Sequence, residues 1–197
     1  MIKMELLEQW QQIEIWGLGR MIKLKSLLME IKFKKFKDLF STMPSALQRR
    51  IHNLKNIKQR KDYHPEGNVL KHTIYAVERA LKTSDIDLAI AAMLHDVGKD
   101  ETAGIHPEKG HETHWGHEKV SAKLIKKYRK WIVDIGGTPS DVYYIVKNSG
   151  RIKSFHNMRK FKQDKMKVQK GRFGKLDKFS KGIDVGGRGK GNKPGRY

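Results

Sequence analysis

The sequence contains no cysteine. Disulfides, thiolate metal sites and a cysteine nucleophile are therefore excluded. The absence fits a reducing compartment, and a cytoplasmic location is expected. Any metal must be held by histidine and carboxylate, ligands that suit Mn, Ni, Fe, Co, Mg or Zn better than soft ions. Long apolar runs are missing too. The longest lies within residues 86–94, far short of the roughly 18 residues that a membrane span needs. The first residues carry Lys3, Glu5, Glu8 and Glu14 and do not read as a signal peptide. Acidic residues are scarce: 21 Asp and Glu stand against 42 Lys and Arg, a net charge of +21. Self-repulsion at that charge opposes compaction, so a polyanionic partner is expected. Nucleic acid is the first candidate and an anionic membrane surface the second. A basic, merely solvated surface is the plainest alternative.

Hydrophobic residues make up 38% of 197 residues. That supports one domain with a real core and some extra chain at its ends. Composition divides the chain into three stretches. Residues 1–40 read as a basic amphipathic helical extension, with Leu6, Trp10, Ile13 and Leu18, then Leu24, Leu27, Leu28, Ile31 and Phe36, on apolar faces. Such a helix can cover the apolar side of the domain, or its lysines can meet RNA or a membrane surface. Residues 41–150 hold most helix signals. A helix is expected over 45–54. Another opens at Gly67-Asn68, and Leu70, Ile74, Val77 and Leu81 form one buried stripe on it. Residues 86–96 are apolar almost all round, which predicts a helix in the centre of a bundle, stopped by Gly98. Residues 104–116 read as a loop and 117–132 as one amphipathic helix. Thr138-Pro139-Ser140-Asp141 is a start signal for a helix running to about Asn148, with Thr138 as N-cap. No strand pair stands out. Residues 151–197 carry sixteen Lys or Arg against three Asp, and their Gly-rich end reads as a flexible basic tail able to follow a phosphate backbone.

His95 and Asp96 adjoin at the end of the most apolar segment. Ionisable groups there are costly unless paired or bound to metal. The alternative is a pair that caps a helix end at the surface. His72 lies on the preceding helix, beside its apolar stripe. Antiparallel packing of the two helices brings it towards His95; otherwise it is a core-edge histidine bonded to a carbonyl. His106, His111, His114 and His117 place four histidines in twelve residues. That cluster can complete a metal site, grip a phosphate, or be a solvated polar loop. Asp85 and Asp87 read as helix capping.

The segments YHPEGNVLKHT (63–73), AMLHDVGK (92–99) and GHEKVSA (116–122) resemble the HD superfamily of phosphohydrolases. The resemblance is strongest to the HD domain attached to bacterial tRNA nucleotidyltransferases, although their nucleotidyltransferase part is not read in this sequence. It implies an all-α fold: an HD-domain helical bundle over residues 41–188, with the helical extension at 1–40 and the tail at 189–197. It also implies that His72, His95 and Asp96 bind a divalent metal together with a distant Asp just before a Gly-Arg pair. The segment FSKGIDVGGRG (179–189) makes that residue Asp184, with one residue inserted relative to the family pattern. By the same resemblance Lys99, His111, His117 and Arg151 contact a substrate phosphate, Lys99, His114 and His117 serve catalysis, and Lys99 alternatively holds Asp96. The implied activity is metal-dependent hydrolysis of a nucleotide or RNA-end phosphoester, such as a 2′,3′-cyclic phosphate. Ser149 stands near where many relatives carry a histidine. That departure keeps a second reading open: a catalytically inactive HD-fold protein that binds RNA or DNA.

Overall fold

The centre of the molecule is its most apolar segment. In the computed structural model, which describes residues 33–59, 64–108, 110 and 112–186, residues 88–94 are all fully buried. The expected extension therefore lies outside the described residues up to 32, as do the chain beyond 186 and His111. Described chain begins at Phe33, which is already buried in the same core as Leu39, in the short helix α1 (Phe36–Ser41).

Helix α2 (Ser45–Asn53) buries Leu47 and Ile51. Helix α3 (Val69–Leu81) starts where Asn68 accepts a hydrogen bond from the Lys71 backbone N–H, satisfying one of the donors that a helix start leaves open. Its buried face is rotated from the stripe expected from the leucines. Leu70 and Ile74 are only half-buried, whereas His72, Thr73, Ala76, Val77 and Ala80 are buried. The reason is packing: the small residues Ala76 and Ala80 let the central helix α4 (Ile86–Leu94) lie close along this side. His72 is carried inward with them. Asp85 caps α4 by accepting from the Asp87 and Leu88 backbones.

Helix α4 ends at Leu94, before His95 and Asp96, and a 3₁₀ segment follows over Val97–Glu101. Gly98 does not end α4; it lies inside that segment and lets it approach the next helix. A Cβ there would stand 2.5 Å from the His117 carbonyl and 2.9 Å from the Ser121 nitrogen. The loop that follows contains a short antiparallel ladder, β1 (Gly104–Ile105) against β2 (Glu112–Thr113). The single helix expected over 117–132 is two, α5 (His117–Lys127) and α6 (Arg129–Asp134). The break at Tyr128 turns the chain so that Trp131 and Ile132 are buried and the Trp131 indole donates to Thr42.

Helix α7 (Pro139–Ile152) packs on α4 and α5 and runs past Asn148 to bury Ile152. Thr138 precedes it but makes no side-chain cap; its backbone N–H donates to Asp87 instead. The basic stretch then folds back. Helices α8 (Lys160–Lys167) and α9 (Lys170–Lys178) follow, and α9 packs on α7. Lys175 pairs with Asp85, Asp87 and Asp141, and Arg172 pairs with Asp141. A π-helical turn, Phe179–Ile183, closes the described bundle and buries Phe179 and Ile183. The all-α expectation holds. Among the described residues no helix is long and apolar enough to cross a membrane.

Gly98→Ala is expected to lower stability by about 1–3 kcal/mol, because backbone atoms, not a mobile side chain, meet the new methyl. Thermal and urea unfolding check this. Unchanged stability would mean that the 3₁₀ segment and α5 separate freely.

Candidate metal centre

Four separate pieces of chain meet at one buried point. His72 comes from the first turns of α3, His95 and Asp96 from the residues just after α4, and Asp184 from the residue after the π turn. All four are buried. His72 Nε2 lies 3.1 Å from Asp184 Oδ1, and His95 Nε2 lies 3.5 Å from the same oxygen and 3.4 Å from Asp96 Oδ2. One donor atom from each of His72, His95 and Asp184 falls within 4.8 Å of the others.

The π turn sets Asp184 in place. Its backbone N–H bonds to the Phe179 carbonyl at 2.8 Å, five residues back. Such a turn takes up one extra residue without ending the helix, as the insertion expected in the 179–189 segment would require. Arg79 on α3 completes the support. Its guanidinium donates to the Ile183 and Val185 carbonyls on either side of Asp184.

The hydrogen bonds assign the histidine protons. His95 Nδ1 lies 2.9 Å from the Ala92 carbonyl, which can only accept, so Nδ1 carries the proton. In the neutral ring His95 Nε2 is then a buried lone pair with no hydrogen-bond partner, aimed between two carboxylates. Lone pair against carboxylate is repulsive, and the low local polarity sharpens the repulsion. A cation between them removes it, and two imidazoles with two carboxylates are a donor set suited to a divalent transition metal or Mg. The residues fit a metal.

Burial alone would raise the pKa of Asp96, but the Lys99 and His117 charges help to hold it well below the usual carboxylate range. Burial is likewise outweighed at Asp184, with Lys153 first and His72 contributing. Burial opposes charge on His72 as well, yet bonds to Asp184 and Glu66 push its pKa up to about 9. Without a cation, a protonated His72 balances the carboxylates.

Around these four stand further charged groups. Lys99 Nζ lies 2.7 Å from Asp96 Oδ2, and His117 Nε2 lies 3.3 Å from Asp96 Oδ1. Burial lowers the His117 pKa, but Asp96 more than reverses this and raises it. His114 donates from Nδ1 to the Lys99 carbonyl, leaving a buried Nε2 without a partner. Burial, followed by the Lys99 and His117 charges, depresses its pKa. Arg151 is exposed and makes no ion pair with the cluster. Its neighbour Lys153 does so, with Nζ 3.0 Å from Asp184 Oδ2. Sequence reading missed Lys153, which no motif distinguishes from the surrounding lysines. It also missed Glu66, whose Oε1 takes a 2.7 Å hydrogen bond from His72 Nδ1. Glu66 stood inside the 63–73 segment, six residues before His72.

The family model of the HD domain matches residues 62–164, more than half of the chain. This chain belongs to the HD domain family. The HD domain implies metal-dependent phosphohydrolase chemistry, and the histidine–carboxylate cluster above is a group able to hold the metal. Part of the sequence is also shared with curated proteins. The chain is 33% identical over 79 residues to the "Multifunctional CCA protein" of Shewanella denitrificans, covering 40% of this chain and 18% of that one. For the protein of that name from Dechloromonas aromatica the identity is 37% over 79 residues, 39% and 18%. For the one from Herminiimonas arsenicoxydans it is 34% over 85 residues, 41% and 20%. The chain thus spans about a fifth of the length of these relatives. No solved structure matches it at a comparable level.

Metal ions compete with protons for imidazole. Both aspartates are held well below the usual range, so the competition falls on His72. Affinity for Mn or Ni is expected to rise with pH up to about 9, the folded pKa of His72, and to level off above it. The metal-free protein should move the other way. The stabilisation from the raised pKa is fully present below about 6.5 and is lost as pH rises through about 9. Titration calorimetry and unfolding across that range check both; a flat affinity would show that His72 gives up no proton to the ion.

Proposed function

We propose that the protein is a metal-dependent phosphoric ester hydrolase acting on a nucleotide or an RNA-end phosphoester, such as a 2′,3′-cyclic phosphate. The observation that carries this reading is the unpartnered His95 Nε2 aimed between Asp96 and Asp184. His72, His95, Asp96 and Asp184 would hold the cation. A divalent ion there supplies Lewis acidity, lowering the pKa of water and polarising a phosphoryl oxygen.

The protein's own groups supply the rest. Lys99 and Lys153 pair with Asp96 and Asp184 respectively, and Lys153 is 44% exposed at its side chain. Both amines are positioned to shift from carboxylate to phosphate oxygens when an anion enters, balancing its charge. His117 is the better proton donor to the leaving oxygen. Its Nδ1–H is tied to the His114 carbonyl, and its Nε2 faces Asp96, which favours the protonated ring. His114 is held neutral, with its remaining proton spent on the Lys99 carbonyl, so it suits orientation of the Lys99 segment more than proton donation. His111 and Arg151 are assigned here only as outer phosphate contacts. Glu66 holds the His72 ring, as carboxylates commonly do behind metal-bound histidine.

The substrate class is supported by the excess of basic residues and by likeness to proteins named as CCA proteins. RNA or a nucleotide is the proposed partner, and the cytoplasm the proposed location.

Purified protein should open 2′,3′-cyclic nucleotides or release phosphate with Mn, Ni or Mg and stop with chelator. Asp96→Asn should reduce turnover by more than about 100-fold while circular dichroism shows the fold intact. Failure with every metal, together with salt-sensitive RNA binding that survives Asp96→Asn, would favour an inactive RNA-binding HD fold instead.

A further inference from the structure

We propose that Trp115 is the stacking platform for the nucleobase attached to the phosphate handled at this centre. The inference rests on the function proposed above and names a determinant of its substrate.

An exposed tryptophan is unusual, because the indole is the largest apolar side chain and is mostly covered in folded proteins. Trp131 follows that rule at 7% exposure; Trp115 is 67% exposed. Its position is tied to the centre from both sides. The residue before it, His114, bonds to the Lys99 carbonyl, and Lys99 pairs with Asp96. Two residues after it, His117 faces Asp96 at 3.3 Å. Two residues of chain span at most about 7 Å. The Trp115 backbone therefore lies within about 7 Å of that of His117, a phosphate-directed group on the proposed reading.

The ring is also braced. His106 meets it edge-on, with centroids 5.1 Å apart and planes at 69°. His106 in turn accepts from the Glu108 backbone, and the β1–β2 ladder joins the two sides of the loop. At 67% exposure most of the indole surface stays open to solvent. Gly116 adopts φ +81, a left-handed turn that most side chains resist, and it redirects the chain straight from Trp115 into α5. A braced aromatic face beside a cationic, phosphate-directed centre suits a nucleobase, since every base offers a π face and stacking tolerates differences among them. An anion without a base would use the lysines and histidines but not the indole.

The test separates base from phosphate. Adenosine 3′-monophosphate is titrated into the full-length protein while tryptophan emission is followed, with inorganic phosphate as the control. The nucleotide should quench emission in the wild type, phosphate should not, and Trp115→Ala should remove the quench. In turnover, Trp115→Ala should raise KM for 2′,3′-cyclic AMP about 10-fold and leave KM for glycerol 1,2-cyclic phosphate unchanged. Trp115→Phe should restore most of the loss. Equal effects on the two substrates, no effect on either, or quenching that persists in Trp115→Ala would overturn the proposal. Should the wild type turn over neither ester, the hydrolase reading fails, and the quenching titration still decides the role of Trp115.

Discussion

Two carboxylates buried beside two imidazoles govern this structure. Isolated, each charge would cost several kcal/mol to desolvate. Together they are tolerable because opposite charge reaches them from every side: Lys99 and His117 at Asp96, Lys153 and His72 at Asp184. The bundle holds that arrangement. The close α3–α4 contact brings His72 to His95, Gly98 lets α5 come near enough for His117 to reach Asp96, and the π turn with Arg79 delivers Asp184.

The local features were legible in the sequence. The near-continuous apolar run predicted α4, and an Asp-His neighbour pair at its end carried a chemical signal of its own. Capping marked the starts at Asn68 and Asp85, because one side chain meeting one nearby backbone N–H is a short-range event. The features that depend on distant partners were not legible. The face of α3 was set by Ala76 and Ala80 accepting α4, not by Leu70 and Ile74. The break at Tyr128 answers to the burial of Trp131. Thr138 promised a cap, but its backbone went to Asp87, fifty-one residues away. Glu66 and Lys153 acquire meaning only once His72 and Asp184 stand next to them.

The surplus of positive charge also has a different distribution from the one composition suggests. Some of the cations serve the fold itself. Lys175 gathers three aspartates, Arg172 pairs with Asp141, and Arg79 is occupied with two carbonyls. These cations fasten the C-terminal helices to the core. The basic chain from 151 onward is thus partly scaffold, while the net charge of +21, in which the paired aspartates are already counted, remains to attract a polyanion.

The placement of Asp184 has a consequence for biosynthesis. A ribosome delivers His72, His95 and Asp96 long before it delivers residue 184. During that interval the nascent bundle holds an incomplete cluster, with α9 and the π turn still unmade. A chain interrupted after α7 could pack much of its apolar interior and yet lack one wall of the centre. On the proposed reading, chemical competence therefore comes late in the order of synthesis, because a prematurely terminated product lacks Asp184.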